Sequence, residues 1–155
     1  MEFLMKVFYP FIAVTLLITA LQTKADESVN NPIEVRKSSM KALGKSMKTL
    51  GPIYTQKRPF NADVVKEATD RLLDYADSMT LLHLFPEGSL SDDSKSKPDI
   101  WDNWNEFSNM MLDFEKNVSD FGMVVGMGLE ASAVEFKHIT ESCSDCHKKY
   151  RTKRK

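Results

Sequence analysis

Cysteine is scarce in this chain. There are two in 155 residues, Cys143 and Cys146, both inside "ESCSDCHKKYR" at residues 141–151. A pair that close cannot staple a fold, which excludes a disulfide scaffold, since those use several pairs at wide spacings. Histidine is nearly as rare, with three. No stretch alternates polar and apolar residues over a useful length, so a sheet architecture has no support. No internal repeat is present, and the only turn-rich polar tract of note is residues 86–97. A formal net charge of -1 gives no broad attraction to nucleic acid. No nucleophile is placed with an acid–base partner, so an enzyme is not expected.

Hydrophobic residues make up 42% of the chain, with nine Met and nine Phe, enough for one domain with a real core. The run "VFYPFIAVTLLITAL", residues 7–21, is short for a membrane span and leads directly into polar sequence. Lys6 precedes it, and Ala25 follows with Thr23 two residues earlier. This predicts a secretory signal over residues 1–25 and a mature domain over 26–155. Pro10 and Lys24 fit that pattern less well and leave an uncleaved anchor as the alternative. Cleavage would remove Glu2, Lys6 and Lys24, together +1, and take the formal charge from -1 to -2. Export implies a periplasmic protein with no stable membrane insertion.

Four amphipathic segments follow. Met40, Leu43, Met47, Leu50 and Tyr54 step by three and four along one helical face, with Gly51-Pro52 able to kink its end. Asn61 is placed to cap a second helix, Phe60 and Val65 have the spacing of a hydrophobic staple, and Ala62, Val65, Leu72, Tyr75 and Met79 form its apolar stripe. That helix is expected to fade near "LLHLFPEGS", before the surface connection 86–97. A third helix starts around Pro98, with Ile100, Trp104, Phe107, Met111, Phe114, Val118 and Phe121 as its stripe. The glycines of "FGMVVGMG", residues 121–128, turn the chain. In the fourth helix Leu129, Ala133, Phe136, Cys143, His147 and Tyr150 share a face. The fold class expected is all-α, an antiparallel four-helix bundle.

Three chemistries use two cysteines beside a histidine. Zinc needs more ligands, and only His83 and His138 could add any, at unsuitable spacing. A dithiol oxidoreductase places CxxC at a helix N-terminus, where the dipole lowers the thiol pKa, whereas this motif lies near a helix end. C-x-x-C-H is also the attachment signal for a c-type haem. Cys143 and His147, four apart, project from one face with Cys146 beside them. Export and helical placement favour haem; the haem-free dithiol oxidoreductase stays as an alternative.

The segments "RKSSMKALGKSM", "LFPEGS", "KPDIWDNW" and "CSDCHKKYR", in that order and spacing, resemble the cytochrome c′ family, the class II cytochromes c. The resemblance spans about residues 33–153 and adds to the four-helix periodicity. It implies one covalent haem c, with Cys143 and Cys146 as thioether anchors and His147 as the proximal iron ligand. Arg151 then lies beside the proximal imidazole, and Arg36 reaches a haem propionate. Met40 faces the distal side of the iron, either as sixth ligand or packed over an open site. Trp101 and Trp104 are weaker candidates to flank the haem. The function implied is electron transfer by an exported cytochrome, with nitric oxide or carbon monoxide binding at a five-coordinate haem as the alternative. Expected partners are a redox protein or a diatomic gas, docking near the basic "KKYRTKRK", and a second copy of the chain through the first helix.

Overall fold

The computed structural model describes residues 31–153. The segment read as a signal lies outside the described residues. Four long helices, α1 (Pro32–Tyr54), α2 (Ala62–Tyr75), α5 (Trp104–Val124) and α6 (Leu129–Tyr150), make the expected bundle. Two short helices, α3 (Ser78–His83) and α4 (Asp99–Asp102), sit in the connection between α2 and α5. No strand occurs among the described residues; one isolated bridge pairs Ser96 with Arg151.

Helix ends follow local chemistry. Asn31 accepts from the Ile33 amide ahead of Pro32, and Asn61 accepts from the Val64 amide. α1 runs through Pro52, whose missing N–H falls in the last turn, so the expected kink site shortens nothing. The second helix does not run on toward the loop. It stops at Tyr75, and Asp77 caps a new helix by accepting from the Thr80 amide at 2.7 Å. Tyr75 is exposed at the end of α2, and beyond the break Met79 is exposed while Ala76, Ser78 and Leu81 turn inward. Ala62 is exposed too, and Ala68 and Thr69 complete the buried stripe instead.

α5 carries the most regular stripe, with Phe107, Met111, Phe114, Val118 and Phe121 all buried. Fully burying each such side chain stabilises the fold by roughly 1.5–3 kcal/mol. Ile100 belongs to α4, separated from α5 at Asn103, and Trp104 stays 36% exposed at the first turn of α5. The turn between α5 and α6 is tighter than 121–128. Phe121 and Gly122 are helical, and the reversal falls at Gly128, whose φ of 103° suits glycine. On α6, Ser132 and Ile139 are buried with Phe136 and Tyr150, whereas Ala133 faces out.

The long helices run up and down in turn. α5 lies against α6 along its length, with Asn117 donating to Ser142 near the middle and Phe107 meeting Tyr150 edge-on near one end. α1 packs extensively on α2 but only sparsely on α6. At one end α1 and α6 are closed: Tyr54 stacks on Phe136 with centroids 4.2 Å apart, and its hydroxyl lies 2.7 Å from Ser132 Oγ. Ser132 gives its one proton to the Gly128 carbonyl, so Tyr54 is the donor of that pair. At the other end the two helices part.

Candidate haem site

The gap between α1 and α6 is a cavity of about 420 Å³. Its apolar wall comes from Phe85, Ile100, Phe107, Met111 and Tyr150, contributed by the α3–α4 loop, α4, α5 and α6. From α1 the lining residues are 33, 36, 37, 40, 41, 44 and 48, one face at helical spacing. Gly44 on that face leaves open space, since a Cβ there would meet nothing within 4 Å. From the end of α6 come Cys146, His147, Tyr150 and Arg151.

Of the six residues singled out from sequence, five therefore line one cavity: Arg36, Met40, Cys146, His147 and Arg151. Cys143, one turn earlier, is half-buried and packs with Cys146 against the core cluster rather than on the cavity wall. Neither tryptophan lines the cavity. Trp101 donates its Nε1–H to the Phe85 carbonyl at 3.1 Å, and Trp104 rests on Phe107. His83 and His138 are exposed, paired with the Met79 carbonyl and Glu135. No group of three or more His, Cys, Asp and Glu among the described residues could hold a metal ion.

Arg36 is 4% exposed, not the solvated helix cation that its neighbours Lys37 and Lys41 are. Its Nε donates to the Leu84 carbonyl at 3.1 Å, Nη1 to Ser96 Oγ at 2.7 Å, and Nη2 to Ser89 Oγ at 2.7 Å and the Ser89 carbonyl at 3.3 Å. The guanidinium also lies 4.1 Å from the centre of the Phe85 ring. No carboxylate among the described residues pairs with it, and burial lowers its pKa. A buried cation held only by neutral groups is costly, and an anion in the adjoining cavity would offset that cost.

Burial also governs the cysteines. Cys143 is pushed up to about 11 by burial, and Cys146 to about 11 by burial and by the neighbouring Cys143. Both are therefore neutral thiols at pH 7, the reverse of the thiolate that a dithiol oxidoreductase uses. His147 is exposed on its outer side, while burial of the rest and the nearby Arg151 charge lower its pKa and favour a neutral imidazole. A neutral imidazole is the form that binds a metal.

These residues fit a haem. The wall is apolar and aromatic, two thiols sit within one turn of a neutral histidine, a thioether from α1 shares the cavity, and a buried guanidinium lacks an anion. Tyr150, 3% exposed, adds an aromatic ring to the same wall. The sequence did not single out Phe85, Ser89, Ser96, Lys41, Lys48 or Lys95. Lys41 and Lys48 could have been found, because with Lys37 they run at helical spacing beside the Met40 stripe; Lys95 lies in the α3–α4 loop and carries no such signal.

A family model described as Cytochrome C' matches residues 31–151. Cytochrome c-554 of Cereibacter sphaeroides is 26% identical over 149 residues, covering 93% of this chain and 97% of that protein. Cytochrome c-556 of Agrobacterium tumefaciens strain B2A is 29% identical over 123 residues, covering 79% of this chain and 98% of the relative. The solved cytochrome c prime of Shewanella frigidimarina superposes with a TM-score of 0.72 at 22% identity, over 79% of this chain and 94% of that one.

Proposed function

Because the chain belongs to the cytochrome c′ family, whose members carry one covalently attached c-type haem, we propose that it is an exported electron carrier in which Met40 and His147 hold the iron from its two sides. The observation that carries this reading is that both side chains line the same cavity, from two helices that scarcely touch.

In this reading Cys143 and Cys146 anchor the haem to α6 through thioethers. Haem held there would supply a one-electron Fe(III)/Fe(II) couple, whose potential a thioether ligand such as Met40 would raise. The protein does the rest. Phe85, Ile100, Phe107 and Met111 exclude water from the site. Arg36, fixed by four hydrogen bonds, has an N–H of Nη1 left for a propionate. Burial and, after it, the positive charge of Arg151 lower the His147 pKa and favour its neutral imidazole. Rigid placement of two side-chain ligands lets an electron arrive and leave with little rearrangement.

Gas binding at a five-coordinate haem is the competing outcome, and one measurement separates the two. Spectra of the purified protein are recorded oxidised, dithionite-reduced and after carbon monoxide. The electron-carrier reading expects sharp, split bands on reduction that the gas barely changes, and high-spin, gas-sensitive bands in Met40→Ala. Broad high-spin bands that shift with the gas in the unaltered protein would instead assign Met40 a packing role. N-terminal sequencing of the mature protein tests export, with a start at Asp26 expected. Light scattering tests the homodimer.

A further inference from the structure

Six cations line the cavity: Arg36, Lys37, Lys41 and Lys48 from α1, Lys95 from the α3–α4 loop, and Arg151 after α6. No Asp or Glu is among its described lining residues, in a chain whose formal net charge is -1. On α2, α5 and α6, by contrast, Lys66, Arg71, Lys116, Lys137 and Lys148 each have a carboxylate partner three or four residues away, and Lys149 pairs with Glu106. At the cavity only Lys37 is neutralised this way, by Glu34 at 2.7 Å. Lys41, Lys48 and Lys95 make no ion pair among the described residues, and all three are exposed.

The two propionates of a haem would balance two of the five remaining charges, leaving about three uncompensated at the place where the cofactor meets solvent. Lys45, Lys57, Arg58, Lys97 and Lys153 also make no ion pair among the described residues. At the mouth, however, the cations cluster with no acidic residue in the described lining, a local device unlike the general basicity of a nucleic-acid binder. We propose that this rim, centred on Lys41, Lys48 and Lys95, is the docking surface for an acidic protein that gives electrons to the haem or takes them from it. The proposal rests on the electron-carrier reading and adds to it the place and chemistry of the partner. The basic C-terminal turn contributes less, because Lys148 and Lys149 are already neutralised by Asp145 and Glu106.

The test uses the haem-loaded protein and poly-L-glutamate as an acidic probe, with affinity read by calorimetry at several salt concentrations. Three variants are compared with the unaltered chain: Lys41→Glu/Lys48→Glu/Lys95→Glu at the rim, Lys66→Glu/Lys116→Glu on other helices, and Lys148→Glu/Lys153→Glu near the C-terminus. The rim variant is expected to lose at least about tenfold in affinity and most of its salt dependence, the others about twofold or less. Hexacyanoferrate(III), a small anion, then accepts one electron from the ferrous haem, giving ferric haem and hexacyanoferrate(II). Its rate should fall with salt in the unaltered protein and rise with salt in the rim variant. Unchanged affinity and unchanged salt slope in the rim variant overturn the proposal, as does a larger loss in the C-terminal variant. The visible spectrum of each sample reports ligation separately, so failure of the electron-carrier reading and failure of the docking surface are different results.

Discussion

Replacing Arg36 by Met tests whether one side chain holds the α3–α4 loop against α1. Methionine fills much of the aliphatic volume and removes every donor. Four hydrogen bonds to the loop disappear, at 3.1, 2.7, 2.7 and 3.3 Å. Bonds from a charged donor contribute about 1.5–3 kcal/mol each, which bounds the gross loss at about 6–12 kcal/mol. Against this, a buried guanidinium costs several kcal/mol to desolvate, and that cost vanishes with it. The partners left behind, Leu84, Ser89 and Ser96, are only half-buried, so their freed oxygens can turn to water. The net destabilisation expected is about 2–4 kcal/mol. Urea unfolding of the haem-loaded protein measures it, and amide hydrogen exchange locates it. Loop amides 84–96 should gain exchange beyond what the global loss explains, while α2 and α5 amides should not. Arg36→Lys keeps the charge without the fork and should recover less than half of the loss. A cost under about 0.5 kcal/mol, or loop exchange equal to that of the parent, would refute the pinning argument.

Other outcomes follow from single contacts. Tyr54→Phe removes the bond to Ser132 but keeps the stack on Phe136, and should cost about 1 kcal/mol in denaturant unfolding. The same variant should flatten the alkaline limb of stability. Burial raises the Tyr54 pKa above 10.0, so its contribution is complete below pH 10 and is lost as pH rises through the higher folded value. Ser46 is fully buried and its hydroxyl lacks a partner, so Ser46→Ala should stabilise the chain by about 1 kcal/mol, read as a raised melting temperature. At Gly122 an added Cβ would meet only the tip of Leu73 at 3.3 Å, and Leu73 is 44% exposed and able to shift. Gly122→Ala should therefore gain up to about 1 kcal/mol of helix propensity, checked by the same melting curve.

Much of this was legible in the sequence because periodicity reports burial directly. The stripe from Phe107 to Phe121 lies on one face of one uninterrupted helix, and all of it is buried. Met79 was misleading for a physical reason. A stripe carries meaning only while the helix keeps its phase, and the Asp77 cap resets that phase, a signal as short as one residue. Tyr75, the last residue of α2, lies before that reset and is exposed at the helix end. The motif around Cys143, Cys146 and His147 was legible because its chemistry needs near neighbours in sequence. Arg36 was marked only through the family resemblance, and its hydrogen bonds were not legible: the partners lie 48 to 60 residues away, in a loop with no period of its own. Lys41 and Lys48 of the rim are an intermediate case, visible as a stripe but meaningful only once the cavity beside them was known.

The loop that Arg36 holds also grips the far end of α6. Thr152 donates its amide to the Lys95 carbonyl at 2.8 Å, and Lys97 donates its amide to the Tyr150 carbonyl at 3.0 Å. The residues just past α6 are laced in this way to residues 95–97. Since α1 and α6 scarcely touch beside the cavity, this strap is what sets their spacing there. The aperture is thus a matter of chain length more than of side-chain fit. Deleting or inserting a residue between the Ser89 and Ser96 anchors would retune how far the two helices stand apart while every core residue stays in place.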